Sequence, residues 1–253
     1  MVDIHSHVLY SLDDGAKSLE TSKGMLRIAA DSGTTDLVAT PHANLTFKFD
    51  PALIADRLAE LSAAVPEIRL YCGCDFHLSY DNIQDAINHP NKYTINHHNY
   101  LLVEFSDLII FRNTPEIFAR LQDAGMRPVI THPERNDLLR QRVAEIESWV
   151  EAGVFVQVTA QSLLGEFGRR ALDFARTLLD RNLVHFVASD AHDCEHRPPR
   201  LDLAHAWLKK NYGEPAAARL CVENPRATLT GNPLEPAAEA IPAEPRKWYQ
   251  IWR

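Results

Sequence analysis

Apolar residues fall along this chain in two alternating rhythms. Short runs at 2–7, 35–41, 68–74, 100–105, 127–132, 154–159 and 184–189 are compact and rich in branched or aromatic side chains, which predicts seven strands. Between them, segments near 19–32, 51–65, 115–124, 143–152 and 169–181 place apolar residues at helical spacing, and further helices are expected at 202–210 and near 215–222. Ser18 has the chemistry of an N-cap, and Gly33, Gly125 and Gly153 follow three of the helical stretches as stops. Strand–helix alternation of this kind builds parallel sheets. An open doubly wound sheet would gather polar groups at one switch point. Here they recur at the C-terminal end of nearly every strand: His5 and His7, His42, Asp75, Glu104, His132 and Asp190. In a barrel those ends form one ring around one site. The expected fold is therefore α/β, a distorted TIM-like (β/α)7 barrel.

Composition narrows the setting. The 253 residues suit a single α/β barrel, and 45% hydrophobic with 24% charged residues is globular. The formal charge of −8, with no long basic run, argues against an extended nucleic-acid footprint, so any phosphate site needs metals or a few arginines. Four scattered cysteines do not make a disulfide framework and point to a reducing compartment. With no basic-then-apolar leader and no apolar run of about 18 residues, the expectation is a cytoplasmic protein without a transmembrane segment. From Gly231 onward the character changes. Residues 1–230 read as the catalytic domain, and 231–253 as a Pro/Ala-rich tail ending in Lys247-Trp248-Tyr249-Gln250-Ile251-Trp252-Arg253, expected to dock on its own fold, a partner or a membrane surface.

The ring of polar residues has the chemistry of a metal site. In Asp3-Ile4-His5-Ser6-His7 two imidazoles point to the same side of a strand and can converge on one ion. Glu104 follows the apolar run 100–103, and a carboxylate there is costly unless it is paired or metal-bound. Taken singly, His42 and His132 are better read as satisfied core histidines; five strand ends carrying such residues together are not coincidence. Imidazole and carboxylate without thiolate suit Mn²⁺, Fe²⁺ or Zn²⁺. Two ions about 3.5–4 Å apart would clamp an in-line displacement, with Glu104 as the expected bridge.

The assembled motifs resemble the polymerase-and-histidinol-phosphatase (PHP) superfamily, and within it the bacterial capsular and exopolysaccharide tyrosine-protein phosphatases. They are Asp3-Ile4-His5-Ser6-His7, Asp13-Asp14-Gly15-Ala16-Lys17-Ser18, Ala39-Thr40-Pro41-His42, Glu104-Phe105-Ser106, His132-Pro133-Glu134-Arg135, Ser189-Asp190-Ala191-His192, Arg197-Pro198-Pro199 and Asn224-Pro225-Arg226. The resemblance implies two or three divalent ions, manganese first, with Fe²⁺, Zn²⁺ or Mg²⁺ as substitutes. It distributes the ligands as His5, His7, Glu104 and Asp190; His42, Glu104 and His132; and Asp75 with His192. It sets Asp14 beside the cluster and gives Arg135 and Arg197 the phosphate. Asp75 departs from the glutamate usual in the family, which places the third ion in question and brings forward His77 as a substitute.

The implied reaction is hydrolysis of phosphotyrosine by metal-activated hydroxide, with Asp14 or His192 as candidate acids. The implied partner is the tyrosine-rich tail of a bacterial kinase that regulates capsule or exopolysaccharide synthesis; an oligomer is compatible with it. Cys194 to Arg200 fits the Cys-x5-Arg spacing of thiol phosphatases. Pro198 and Pro199, however, lack the N–H groups such a loop aims at phosphate. Rival readings keep the metals and change the substrate, to histidinol phosphate, another small phosphomonoester or a nucleic-acid 3′ end. Others make the chain a TatD- or amidohydrolase-like hydrolase, or a non-catalytic regulator with a worn metal site.

Overall fold

The computed structural model describes residues 1–234; the aromatic end of the tail falls within 235–253 and lies outside the described residues. Nine short strands alternate with helices: β1 Val2–Asp3, β2 Asp36–Ala39, β3 His42–Ala43, β4 Arg69–Cys72, β5 Asp75–His77, β6 Tyr100–Glu104, β7 Arg127–Thr131, β8 Phe155–Thr159 and β9 Phe186–Ala188. The helices are α1 Leu19–Asp31, α2 Pro51–Ala64, α3 Tyr80–Asn88, α4 Thr114–Asp123, α5 Val143–Glu151, α6 Ala160–Leu164, α7 Gly168–Asp180, α8 Asp202–Tyr212, α9 Glu214–Ala218 and α10 Asn224–Thr230. Every strand pair is parallel, in the orders β1-β2-β4 and β3-β5-β6-β7-β8-β9.

The nine pieces make the seven expected strands. The second strand is β2 and β3, interrupted at Thr40-Pro41, where proline has no N–H for the ladder. The third is β4 and β5, interrupted at Gly73-Cys74. Hydrogen bonds cross both interruptions, from Gly73 N to Ala39 O at 2.9 Å and from Asp75 N to Pro41 O at 3.3 Å. Gly73 sits there because a Cβ would come within 2.9 Å of Val38 Cγ1. The ring closes through a parallel bridge between Ser6 and Ala191, flanked by Asp190 N to His5 O and His7 N to Ala191 O, each 2.8 Å. The chain is thus a distorted parallel α/β barrel.

Period-two alternation explains what fills it. Tyr100 and Leu102, Val129, Phe186 and Ala188, and Val38 are buried in one apolar cluster with Val2 and Ile4, inside the ring. Two residues further along the same strand faces stand Glu104, Thr131, Asp190 and Thr40, with His42 beyond. A second apolar shell, including Leu101, Val103, Ile130, Val156 and Val158, packs the strands against the helices.

Three expectations need amendment. The third strand runs on to His77. The helix α3 was not anticipated because Tyr80–Asn88 is mostly polar; Ser79 caps it, and only Ile83 and Ala86 are buried. The single helix expected near 215–222 is α9, a π-turn at Arg219–Glu223, and α10. No helix of the described residues is long and apolar enough to cross a membrane.

Candidate metal centre

All eight expected ligands meet at the C-terminal mouth. His5 Nε2 lies 3.4 Å from Asp75 Oδ2 and 3.4 Å from Asp190 Oδ1. His7 Nε2 is 3.3 Å from Asp190 Oδ1. His42 Nδ1 is 3.4 Å from both Asp75 Oδ2 and Glu104 Oε2, while its Nε2 is 3.4 Å from Asp14 Oδ1. His132 Nε2 stands 4.0 Å from Asp75 Oδ2 and 3.9 Å from Glu104 Oε1. His192 Nε2 reaches Asp14 Oδ1 at 3.4 Å.

Four overlapping donor sets result: His7, Asp14, His42 and His192; His5, His7 and Asp75; His5, His132 and Asp190; His42, Asp75 and Glu104. The grouping differs from the one implied by resemblance. Asp75 sits with His5, His7, His42 and Glu104 rather than with His192, and it, not Glu104, is the carboxylate common to two of the sets. Asp14 joins His42 and His192 as a donor instead of standing aside. His77 belongs to none of these sets among the described residues.

The donors fit cations on three counts. First, Asp75 Oδ2 and His42 Nδ1 are buried with no hydrogen-bond partner. Such orphans cost roughly 1–3 kcal/mol each, and more when charged. Second, the two Nε2 atoms of His5 and His7 face each other at 3.3 Å. Gln157 Oε1 faces His5 Nδ1 at 3.0 Å and Asp13 Oδ2 faces His7 Nδ1 at 2.7 Å, so in their neutral forms both rings donate through Nδ1 and turn the Nε2 lone pairs inward. Two lone pairs at that separation repel until a positive charge lies between them. Third, the donor set is nitrogen and oxygen only, with no thiolate.

Electrostatics shows the same demand. Burial opposes ionisation of Asp75, yet the imidazoles of His5, His132 and His42 hold its carboxyl well below the usual range. Asp190 is likewise held down against burial, by His5, His7, Arg135 and Arg197. Glu104 goes the other way, pushed up to about 8 by burial and then by the Asp75 carboxylate. Asp14 is held below its ordinary value by hydrogen bonds from His192 and His42.

The backbone is bent to make this possible. His132 (φ +33°) and Asp190 (φ +51°) end their strands in left-handed conformations, which cost about 1–3 kcal/mol each and collect at functional sites. Loop 8–17 folds back over the first strand, with Ala16 N donating to His7 O at 3.1 Å. Gly15 permits it, since a Cβ there would fall 2.2 Å from His7 O. The fold-back separates adjacent carboxylates: Asp13 goes behind the His7 ring and accepts from His42 N at 3.1 Å, while Asp14 goes in front to His42 and His192. Asp13 and Gln157 are the orienting residues that sequence reasoning missed. Asp13 lay in a quoted motif beside Asp14, but Gln157 is 152 residues from His5 and left no local signal.

The two expected phosphate arginines meet here as well. Arg197 donates to Asp190 Oδ2 at 2.6 Å, and Arg135 donates to the same oxygen. Both guanidiniums lie over the Phe167 ring, 4.4 Å and 5.7 Å from its centroid. Beside Arg135 opens a cleft of about 120 Å³ lined by Glu104, Phe105, Asp107, His132 and Asn136 among others. Cys194 points away to Thr21 O at 3.6 Å, and burial with neighbouring Asp193 and Glu195 raises its thiol. The amides of Glu195, His196 and Arg197 are all taken by Asp193 Oδ1. That loop therefore offers no thiolate and no free N–H cradle.

Known proteins resemble this chain in sequence and fold. The family model described as capsular polysaccharide synthesis, CpsB/CapC, matches residues 1–230. The tyrosine-protein phosphatase YwqE of Bacillus subtilis is 34% identical over 84% of this chain and 85% of its own length. The tyrosine-protein phosphatase CpsB of Streptococcus pneumoniae is 30% identical over 90% and 98%. A crystal structure from work on these two proteins, described as unique metal-dependent tyrosine phosphatases, superposes with a TM-score of 0.88 at 31% identity, covering 98% of this chain and all of that one. A lactonase from Listeria monocytogenes, with a TM-score of 0.61 and 11% identity, shares the fold alone.

Proposed function

Because the chain belongs to the CpsB/CapC family of capsular polysaccharide synthesis, we propose that it is a metal-dependent protein-tyrosine phosphatase. The observation that carries this reading is the convergence of eight imidazole and carboxylate ligands, two of them with orphaned buried atoms, beside two guanidiniums stacked on one phenyl ring. His5, His7, His42, Asp75, Glu104, His132, Asp190 and His192, together with Asp14, would hold two or three divalent ions, manganese by family resemblance. When bound, such ions lower the pKa of water and offset the charge of a phosphoryl group.

The chain's own residues do the rest. Gln157 and Asp13 fix the rings of His5 and His7 so that Nε2 faces inward. Arg135 and Arg197 take the phosphate oxygens, each guanidinium having more donors than Asp190 uses. Phe167 keeps both planar forks in place and water off one face. The phenolate, with a pKa near 10, leaves with less help than an alkoxide would need. No side chain becomes phosphorylated: Cys194 is turned away, and attack by water is direct.

Residues 1–230 form the catalytic unit. The substrate is the phosphotyrosine tail of a bacterial kinase that governs capsule or exopolysaccharide synthesis, and the setting is the cytoplasm. The test is a chelator-stripped protein assayed on phosphotyrosyl peptide, histidinol phosphate and an oligonucleotide, with Mn²⁺, Zn²⁺ or Mg²⁺ restored in turn and bound metal counted per chain. Activity on the peptide that returns with the ions is expected. Preference for histidinol phosphate would overturn the substrate and spare the metal centre.

A further inference from the structure

Seven large apolar side chains stand exposed among the described residues, and their placement is uneven. Each lies either in a segment that leaves the C-terminal end of a strand or in the first helical turn after it. None lies at the opposite end of the barrel. Five of them cluster further, in the loops after β3, β5 and β6: Leu45 (94% exposed), Tyr80 (77%), Leu108 (91%), Ile109 (54%) and Phe111. Because β3, β5 and β6 are consecutive in the sheet, those three loops stand side by side on the mouth. Exposed apolar side chains gathered in one sector, unlike those scattered singly, mark a candidate interaction site.

We propose that this sector docks the polypeptide flanking the phosphotyrosine, and that it takes flanks carrying apolar side chains. The proposal rests on the phosphatase reading and names the substrate class more closely. Continuity supports it: Glu104, Phe105 and Asp107, from the loop that bears Leu108 and Ile109, line the cleft that opens beside His132 and Arg135. In the loop after β3, Phe47 lies nearly parallel to the His42 ring with centroids 6.0 Å apart, which brings the apolar sector up to the ligands.

Charge is balanced there: Lys48 and Arg112 stand exposed beside Asp50, which accepts from the amides of Ala52 and Leu53, and Asp107, which accepts from the Asn136 side chain, so apolar contact rather than net charge sets what this sector takes. The half of the mouth bearing Arg135 and Arg197 takes the phosphate, and the apolar half takes what surrounds it.

The experiment uses the full chain with its metals and the double variant Leu108→Asp with Ile109→Asp, whose melting point is expected to match the parent because both side chains are in solvent. Binding of labelled peptides bearing non-hydrolysable phosphonomethyl-phenylalanine is followed by anisotropy, once with Leu/Ile flanks and once with Ser/Gly flanks. The parent should prefer the apolar flanks by about tenfold, and the variant should lose that preference. Equal binding of both peptides by the parent, or a preference surviving in the variant, would overturn the proposal. So would a parent that dimerises by light scattering, with a monomeric variant whose peptide preference is intact, because the sector would then cover a second copy. Turnover of p-nitrophenyl phosphate, read in parallel and expected to stay within twofold, reports separately on the phosphatase reading.

Discussion

The inside of this barrel has two storeys built on the same strand faces. In the lower one Tyr100, Leu102, Val129, Phe186 and Ala188 pack without a polar contact between their side chains; only the Tyr100 hydroxyl is polar, donating to Asn232 O at 2.7 Å and accepting from Arg127 Nη1 at 3.1 Å. In the upper one, two residues along, Glu104 and Asp190 join His5, His7 and Asp75; all but the half-buried Glu104, which faces the cleft, are shut off from water. Burying a large apolar side chain contributes about 1.5–3 kcal/mol. Burying an ion costs several kcal/mol unless it is paired well. Alternation along a strand decides which way a residue faces, while its height decides whether it holds the fold together or spends that stability on chemistry.

Substitutions on the two storeys should therefore separate folding from function. The largest effect is expected for Phe186→Ala, a fully buried ring in edge contact with Tyr100 and Phe155. It should lose about 3–5 kcal/mol in chemical denaturation while bound metal per folded molecule changes little. Asp75→Asn should do the reverse. Metal content and turnover should fall by more than the roughly 100-fold ceiling for losing an orienting partner, with a far smaller shift in the melting point of the metal-free protein. If Asp75→Asn kept its ions, Asp75 would be a structural carboxylate and the upper storey smaller than drawn here.

These contrasts also show what was legible in the residues. Glu104 and Asp190 announced themselves because a carboxylate closing an apolar run is costly. His5 and His7 did so because alternate positions share a side. The partition among ions was not legible: which oxygen lies next to which nitrogen depends on how Gly73 and Pro41 break two strands, and that is a property of the closed ring. The third strand beyond Cys74 was missed because Asp75-Phe76-His77 is too short to show a period. The tail from 235 lies outside the described residues.

A smaller effect should follow from Asp13→Asn, which keeps the shape but weakens the pull on the His7 Nδ1 proton. Metal affinity should drop by about 10- to 100-fold, measured by titrating Mn²⁺ into stripped protein. An unchanged affinity would mean that the His7 ring is held by its packing alone.

The smallest effect belongs to the lower storey. His185, whose ring stands edge-on to Phe155, is pushed down to about 4 by burial and then by Arg219. Its folded pKa lies below the unfolded value of 6.5, so its neutral form favours folding above that pH, and stability is lost as pH falls from 6.5 toward 4. Between pH 7.5 and 5.5 the loss should be about 1.4 kcal/mol, and His185→Gln should flatten it. An unaltered slope in that variant would assign the acid sensitivity to the ligand histidines above.

The fold-back at Gly15 acts as a ruler. Asp13 and Asp14 serve opposite sides of the same imidazole neighbourhood only because one peptide unit separates them and the chain reverses immediately afterwards. Adding or deleting a single amino acid between His7 and Gly15 would exchange their orientations, leaving one oxygen anion with no ring to steady and another with no ion to grip. Segment length there is consequently as constrained as side-chain identity, and variation by insertion or deletion should be tolerated in the outer loops long before it is tolerated in these few residues.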